Sequence, residues 1–314
     1  MKTALKVTGI VIGGIVLLVV IGIVILFVIV SKAETVPSDY ESTVVTGGQI
    51  EAKYLARGDY EASSYEETAL QGFEKYTIYY PTQLKSDSAT HPVVVFANGS
   101  GTPVSKYTIM MEHLASWGFI VIGTEEGYDW NGFASEMCIR HLMKLNENET
   151  ISEDKENIFY QKIDLDHVGI TGHSQGGVGV INAITVQEHS NIYKAAVSLS
   201  PTNKELANNI EWAYDASKID TPIMLISGAG GGDDWVVTGE QINSIYADIS
   251  ADKVVARRSD TAHGLALYSA DGYVTAWFMW HLQGDTEAAK AFIGDRAELF
   301  SNSLYQDQQI DIGS

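Results

Sequence analysis

The chain has 314 residues, 45% of them apolar, and 20 Lys and Arg stand against 40 Asp and Glu for a formal net charge of −20. That much apolar material builds a sizeable core and excludes global disorder, while the acidic balance excludes the basic footprint that nucleic acid requires. The single cysteine, Cys138, excludes an intrachain disulfide.

The N-terminus is a different material from the rest. Residues 7–30, VTGIVIGGIVLLVVIGIVILFVIV, carry no charge over 24 positions. A helix of that length covers about 36 Å, enough to cross a hydrocarbon core of roughly 30 Å. A cleaved signal peptide has a shorter apolar stretch of about 7–15 residues, so the expectation is an uncleaved signal anchor. Lys2 and Lys6 precede the run, which assigns residues 1–6 to the cytoplasm and everything after the span to the outside. The expected location is therefore the cell membrane, single-pass, with the folded domain extracellular; cleavage after Ala33, in the small-residue stretch SKA, would make it a secreted protein. Residues 31–65 are polar and read as a stalk merging into the domain edge, leaving 66–314 as the folded domain.

From residue 76 onward, strand-like and helix-like runs alternate. YTIYYP (76–81), PVVVFANG (92–99) and FIVIGTEE (119–126) read as strands, and KYTIMMEHLASWG (106–118) and FASEMCIRHLMKLNE (133–147) as helices. HVGITGHS, AAVSLSP, PIMLISG and KVVARRS continue the strands, and EQINSIYADI and YVTAWFMWHL the helices. This rhythm predicts an α/β fold with a mostly parallel central sheet and helices on both faces. Ligands in such a sheet bind beyond the carboxyl ends of the strands. The segment 202–220, between two strands, fits a lid or a plain surface helix.

Within ITGHSQGG, Gly172, Ser174 and Gly176 fit G-x-S-x-G. The motif is short enough to arise by chance in roughly one chain in ten, so its setting matters more than its letters. It follows an apolar strand run and opens a helix run, the strand–turn–helix context of a nucleophile elbow. A serine hydroxyl needs a base to take its proton, and only His189, His263 and His281 follow Ser174. His263, in the glycine-containing loop SDTAHGLAL after the strand KVVARRS, is the expected base. The acid should follow TPIMLISG, where Asp233 and Asp234 stand side by side; Asp234 is favoured because DWVV packs the loop back, with Asp233 as the alternative. The oxyanion donors are expected to be the N–H groups of Gln175 and of Ser100, the latter in the loop ANGSG, with Gly101 beside it. That loop also contains a formal N-glycosylation sequon at Asn98, which is set aside because a sugar there would block the site. Glu125, Glu126, Tyr128, Trp130 and Trp235 are expected on the rim, with Tyr128, Trp130, Trp235 and Gly101 touching substrate. None of the eight histidines sits in a zinc-type spacing and no phosphate-binding glycine loop is present, so neither metal nor organic cofactor is expected.

With these pieces in order, the chain resembles the α/β-hydrolase superfamily, in the branch of dienelactone hydrolases, chlorophyllases, platelet-activating-factor acetylhydrolases and cutinase-like polyester hydrolases. YTIYYP, PVVVFANGSG, LASWGFIVIGTE, GITGHSQGG and AHGLAL carry the likeness over about residues 70–285. The resemblance implies Ser174 as nucleophile, Asp234 as acid, His263 as base, and Ser100 and Gln175 as oxyanion donors. Three departures argue against a polyester as substrate: Ser100 where an aromatic is usual, Pro201 and Thr202 where an aromatic follows the SLSP strand, and no disulfide. A serine in place of cysteine at 174 argues against a strict dienelactone hydrolase. The expected function is a membrane-anchored extracellular serine hydrolase of carboxylic esters, acting on a small-molecule or lipid-like ester. An acyltransferase or peptidase with the same residues, or a non-catalytic surface binding protein on this scaffold, are the alternatives.

Overall fold

The computed structural model describes residues 36–69, 74–86, 88–152, 155–230 and 232–313. The expected anchor over 7–30 lies outside the described residues; among those described, no helix is long and apolar enough to cross a membrane.

Eleven strands are present among the described residues: β1 (Ala62–Thr68), β2 (Lys75–Pro81), β3 (His91–Ala97), β4 (Ile120–Thr124), β5 (Thr150–Ser152), β6 (Lys155–Glu156), β7 (Ile163–His173), β8 (Tyr193–Leu199), β9 (Ile223–Ala229), β10 (Lys253–Ser259) and β11 (Tyr305–Asp311). Nine of them form one sheet in the order β1-β2-β4-β3-β7-β8-β9-β10-β11, and β5 and β6 pair separately. The six strands from β4 to β10 run parallel, flanked by antiparallel β2 and β1 at one edge and β11 at the other. Helices cover both faces, as the alternation of strand and helix runs in the sequence predicts.

The central strands show why. In β3, Val94 and Phe96 enter the core on one face while Val93, Val95 and Ala97 enter the core on the other. β9 divides the same way, with Met224 and Ile226 on one side and Ile223 and Leu225 on the other. A strand buried on both faces needs apolar residues at every position, which is the continuous run visible in the sequence.

Chain that reads as a stalk is part of this body from Val36 onward. Tyr40 and Tyr54 are fully buried, and helices span Tyr40–Thr43 and Gln49–Leu55. A few of its polar groups are tied into the body, while most of the others face water. Tyr40 donates to Asp271 Oδ2 at 2.7 Å, and His113 Nδ1 meets the same oxygen at 2.9 Å. Glu51, 1% exposed, accepts from Arg258 at 3.0 Å, Tyr305 at 2.7 Å and Asn302 at 2.8 Å. A carboxylate buried to that degree is tolerable only with its charge paired and its lone pairs occupied.

Candidate active site

β7 ends at His173 and a helix begins at Gln175, so Ser174 alone makes the turn, with φ 61° and ψ −119°. A non-glycine residue held there stores strain of about 1–3 kcal/mol. The surroundings enforce it. A Cβ on Gly176 would lie 2.2 Å from the Ala97 carbonyl oxygen, and one on Gly172 would lie 2.5 Å from that of Gly176. Only glycine lets β3, β7 and the helix Gln175–Ala183 approach this closely, and the serine between them is turned out above the sheet.

His263 opens the short helix His263–Ala266 just past β10. Its Nε2 lies 2.9 Å from Ser174 Oγ and its Nδ1 2.6 Å from Asp233 Oδ1. Asp233 is fully buried, and its other oxygen accepts from Ser200 Oγ at 2.8 Å and from the Gly228 N–H. With three donors on two oxygens, the carboxylate faces the imidazole in a fixed orientation. Such a line can move a proton from hydroxyl to imidazole and stabilise the imidazolium that results.

The expected acid is Asp234, with Asp233 as the alternative; the structure sets Asp233, not Asp234, against His263. Val236 and Val237 are buried as the packing of DWVV implies, but the Asp233 carbonyl accepts from both of their N–H groups at 2.9 and 3.2 Å. That is a helical turn, so the residue sharing the buried face with Val236 and Val237 lies three and four positions back, at Asp233. Asp234 and Trp235 turn outward. Asp234 instead pairs with Arg257, whose Nη2 also donates to the Gly228 carbonyl at 3.2 Å.

His173 and Ser200 are two contributors that motif reading missed. The His173 ring sits 4.4 Å from that of His263, and its Nε2 lies 2.8 Å from the His263 carbonyl. Because a carbonyl only accepts, Nε2 carries the proton. Burial, and then the neighbouring His263, push the His173 pKa down to about 3, so it is a neutral donor that ties down the backbone of residue 263. Ser200 has φ 41°, a strained turn directly after β8 that aims its hydroxyl at Asp233. The motif SLSP gave no hint of this, because the contact joins residues 33 apart.

The loop after β3 lies against the elbow: a Cβ on Gly176 would come within 3.0 Å of the Asn98 carbonyl carbon, and one on Gly99 within 3.2 Å of the His173 oxygen. Ser100 and Gly101 are exposed at its tip, Gly101 with φ 63°. The N–H groups of Ser100 and Gln175 have no backbone partner among the described residues. Asn98 is 1% exposed and spends its amide on the carbonyls of Thr124 and Glu126, at 2.8 and 2.6 Å, which leaves it inaccessible to a glycan.

Tyr128 and Trp235 are strongly exposed, at 61% and 69%. The Trp235 ring stands 5.3 Å from His263, edge to face. Trp130 is half-buried and held through its carbonyl, which accepts from Asn182 at 2.8 Å. Glu125 accepts from the N–H and hydroxyl of Ser105 at 3.1 and 2.8 Å. Between the two aromatics of this loop, Asp129 is buried with its carboxylate on the N–H groups of Ala134 and Ser135 and the Ser135 hydroxyl. Burial outweighs these donors and pushes the Asp129 pKa up to about 7.

A family model described as PET hydrolase-like matches residues 44–308. Among curated proteins, a bis(hydroxyethyl) terephthalate hydrolase of Streptomyces coelicolor is 28% identical over 205 residues, a match covering 63% of this chain and 58% of that protein. This chain thus matches little more than half of that relative's length.

Proposed function

The chain belongs to the PET hydrolase-like family, and from that premise we propose that it is a serine hydrolase of carboxylic esters, with Ser174 as nucleophile, His263 as general base and acid, and Asp233 as the group that orients and stabilises the imidazole. The observation that carries the reading is the unbroken line from Ser174 Oγ to His263 Nε2 at 2.9 Å and from His263 Nδ1 to Asp233 Oδ1 at 2.6 Å. Ser174 Oγ attacks the ester carbonyl carbon as its proton passes to His263 Nε2. The N–H groups of Ser100 and Gln175 donate hydrogen bonds to the developing oxyanion. The tetrahedral intermediate then collapses, the C–O bond to the leaving alcohol breaks, and Nε2 returns the proton to that alcohol. Water, deprotonated by the same nitrogen, attacks the acyl-enzyme and releases the acid.

The substrate class we favour is a small neutral ester of an aromatic acid, such as bis(hydroxyethyl) terephthalate. Support comes from the name of the curated relative, from the exposed rings of Tyr128 and Trp235 beside the site, and from the carboxylates of Glu125 and Glu126 in the loop that carries Tyr128, which disfavour anions. Pro201 and Thr202, after β8, are buried and offer no aromatic ring to a polymer chain. The uncharged run over 7–30 supports placement on the outer face of a membrane; extraction from membranes by detergent but not by alkaline carbonate, together with protease accessibility on intact cells, tests this.

A fluorophosphonate probe tests the chemistry. The full chain should be labelled and its Ser174→Ala variant should not. Equal labelling of both removes Ser174 from its role, and a folded chain that takes up no label is a binding protein on a hydrolase scaffold. A panel of aromatic and aliphatic esters then ranks the acyl group.

A further inference from the structure

The residue after Ser174 presents an anomaly. Gln175 is fully buried, and its Nε2 has no hydrogen-bond partner among the described residues. An unsatisfied buried amide costs about 1–3 kcal/mol, and a leucine or methionine would fill the same space without that cost. An amide at this position is explained by what its other end does. Gln175 Oε1 accepts the Asp129 N–H at 3.0 Å. That donor also fixes which end of the amide is oxygen, since Nε2 could not accept.

The loop that Gln175 grips is held on its other side by the segment carrying Ser100. The Gly101 N–H donates to the Gly127 carbonyl at 2.7 Å, and Asn98 Nδ2 donates to the Glu126 carbonyl at 2.6 Å. The loop itself is immobilised from below. The Asp129 carboxylate receives two N–H groups of the helix Phe133–Glu147, and the Trp130 carbonyl receives Asn182. Ser100 and Gln175 lie 75 residues apart in sequence, yet Gln175 and the residues on either side of Ser100, Asn98 and Gly101, are hydrogen-bonded to the same few residues, 126–129.

We propose that the Gln175 side chain is a positioning group for the oxyanion hole: by binding Asp129 it locks the amide of residue 175 to the loop that also holds the amide of Ser100, and so fixes the spacing between the two donors. The inference rests on the reading of the site as an ester hydrolase. Two N–H groups act together only when both reach one oxygen, and a misplacement near 1 Å costs about 100-fold in rate.

The test is Gln175→Met in the full chain, which keeps side-chain volume and the backbone donor but removes the acceptor. Activity is expressed per fluorophosphonate-labelled site, so that only folded molecules count. The expected result is a kcat lowered about 10- to 100-fold with KM within twofold, and a dissociation constant for phenylboronic acid, whose tetrahedral adduct occupies the oxyanion position, raised by a similar factor. A kcat and a boronate affinity both within twofold of the parent overturn the proposal. So does a loss confined to melting temperature. A second measurement needs no variant: in the parent chain, boronate should slow amide hydrogen exchange at Gly101 and Asp129 along with Ser100 and Gln175, and unchanged exchange at Gly101 and Asp129 overturns the proposal. A parent chain that takes no label at Ser174 defeats the hydrolase reading itself, a result distinct from either of these.

Discussion

Replacing each of the two adjacent aspartates by asparagine separates them by mechanism. In Asp233→Asn, the Gly228 N–H and the Ser200 hydroxyl still point at the inner atom of the side chain, so the amide oxygen belongs there. The NH2 group then faces His263 Nδ1, 2.6 Å away in the parent. Two donors cannot meet, so the imidazole shifts its proton to Nε2 and presents N–H, not a lone pair, to Ser174. The base is thereby in the wrong tautomer, a change worth about 10⁴-fold in kcat, or roughly 5 kcal/mol, where it has been made in another serine hydrolase. Asp234→Asn removes one partner of Arg257 at a side chain that is 52% exposed, and Arg257 keeps Asp307 and the Gly228 carbonyl. With the carboxylate half in solvent and the buried guanidinium still held by two other partners, the loss should be about 0–1 kcal/mol, so kcat should stay within about threefold of the parent. Initial rates on p-nitrophenyl esters, normalised to labelled sites, give both numbers. A hundredfold loss in Asp234→Asn, or an Asp233→Asn variant within tenfold of the parent, refutes the reasoning.

Other consequences are separable. Glu51→Ala leaves Arg258 buried without its charge partner, which should cost about 3–5 kcal/mol and lower the melting temperature by roughly 10 °C; a shift under 2 °C in calorimetry would show that the network is dispensable. Trp235→Ala should raise KM for benzoate-type esters about 3- to 10-fold and leave acetate esters unchanged, and equal effects on both would mean that the exposed ring does not meet the acyl group. Burial depresses the pKa of His173 to about 3 and of His141 and His281 to about 4, while burial raises that of Asp129 to about 7. A depressed histidine contributes stability that is present above its unfolded pKa and lost as pH falls, whereas a raised aspartate contributes stability that is lost as pH rises toward 7. Near pH 5 the three histidines outweigh the one aspartate by about two protons, so these groups should make stability fall by about 3 kcal/mol per pH unit on acidification; a denaturant midpoint flat from pH 6 to 5 would contradict it.

The sequence reveals the strands that are buried on both faces. FIVIG and PVVVFA carry an apolar residue at every step because both neighbouring layers demand one, and they appear as β4 and β3. The edge strands lack that constraint. β1 reads ASSYEET and β11 reads YQDQQID, polar alternations that stand out only once β2 and β10 are there to pair with. The same applies to residues 36–65, whose charge suggests a stalk. Glu51 meets Arg258 across 207 residues and Tyr40 meets Asp271 across 231, contacts beyond any local pattern.

At the site, legibility follows the same division. Ser174 and His263 are marked by what surrounds them in sequence, glycines in one case and a strand end followed by a loop in the other, and they come within 2.9 Å. The acid depends on the phase of a single turn, which composition does not encode: Asp233 and Asp234 are chemically identical, and only the two hydrogen bonds from Val236 and Val237 decide which one points inward. Acid excess deepens the ambiguity. Of the 40 acidic residues, most carry solubility, whereas Glu51, Asp129, Asp233 and Asp271 are each no more than 1% exposed. Two of these hold the N-terminal segment to the body and two hold the loops around Ser174. What distinguishes the four is a set of converging donors, supplied by distant chain for Glu51, Asp233 and Asp271 and by the start of the next helix for Asp129, since a carboxyl group enters the interior only where such donors converge. A candidate acid is therefore best sought by asking where buried N–H and O–H groups need an acceptor, and at the end of β9 that place is filled by residue 233, the acid of the proposed mechanism.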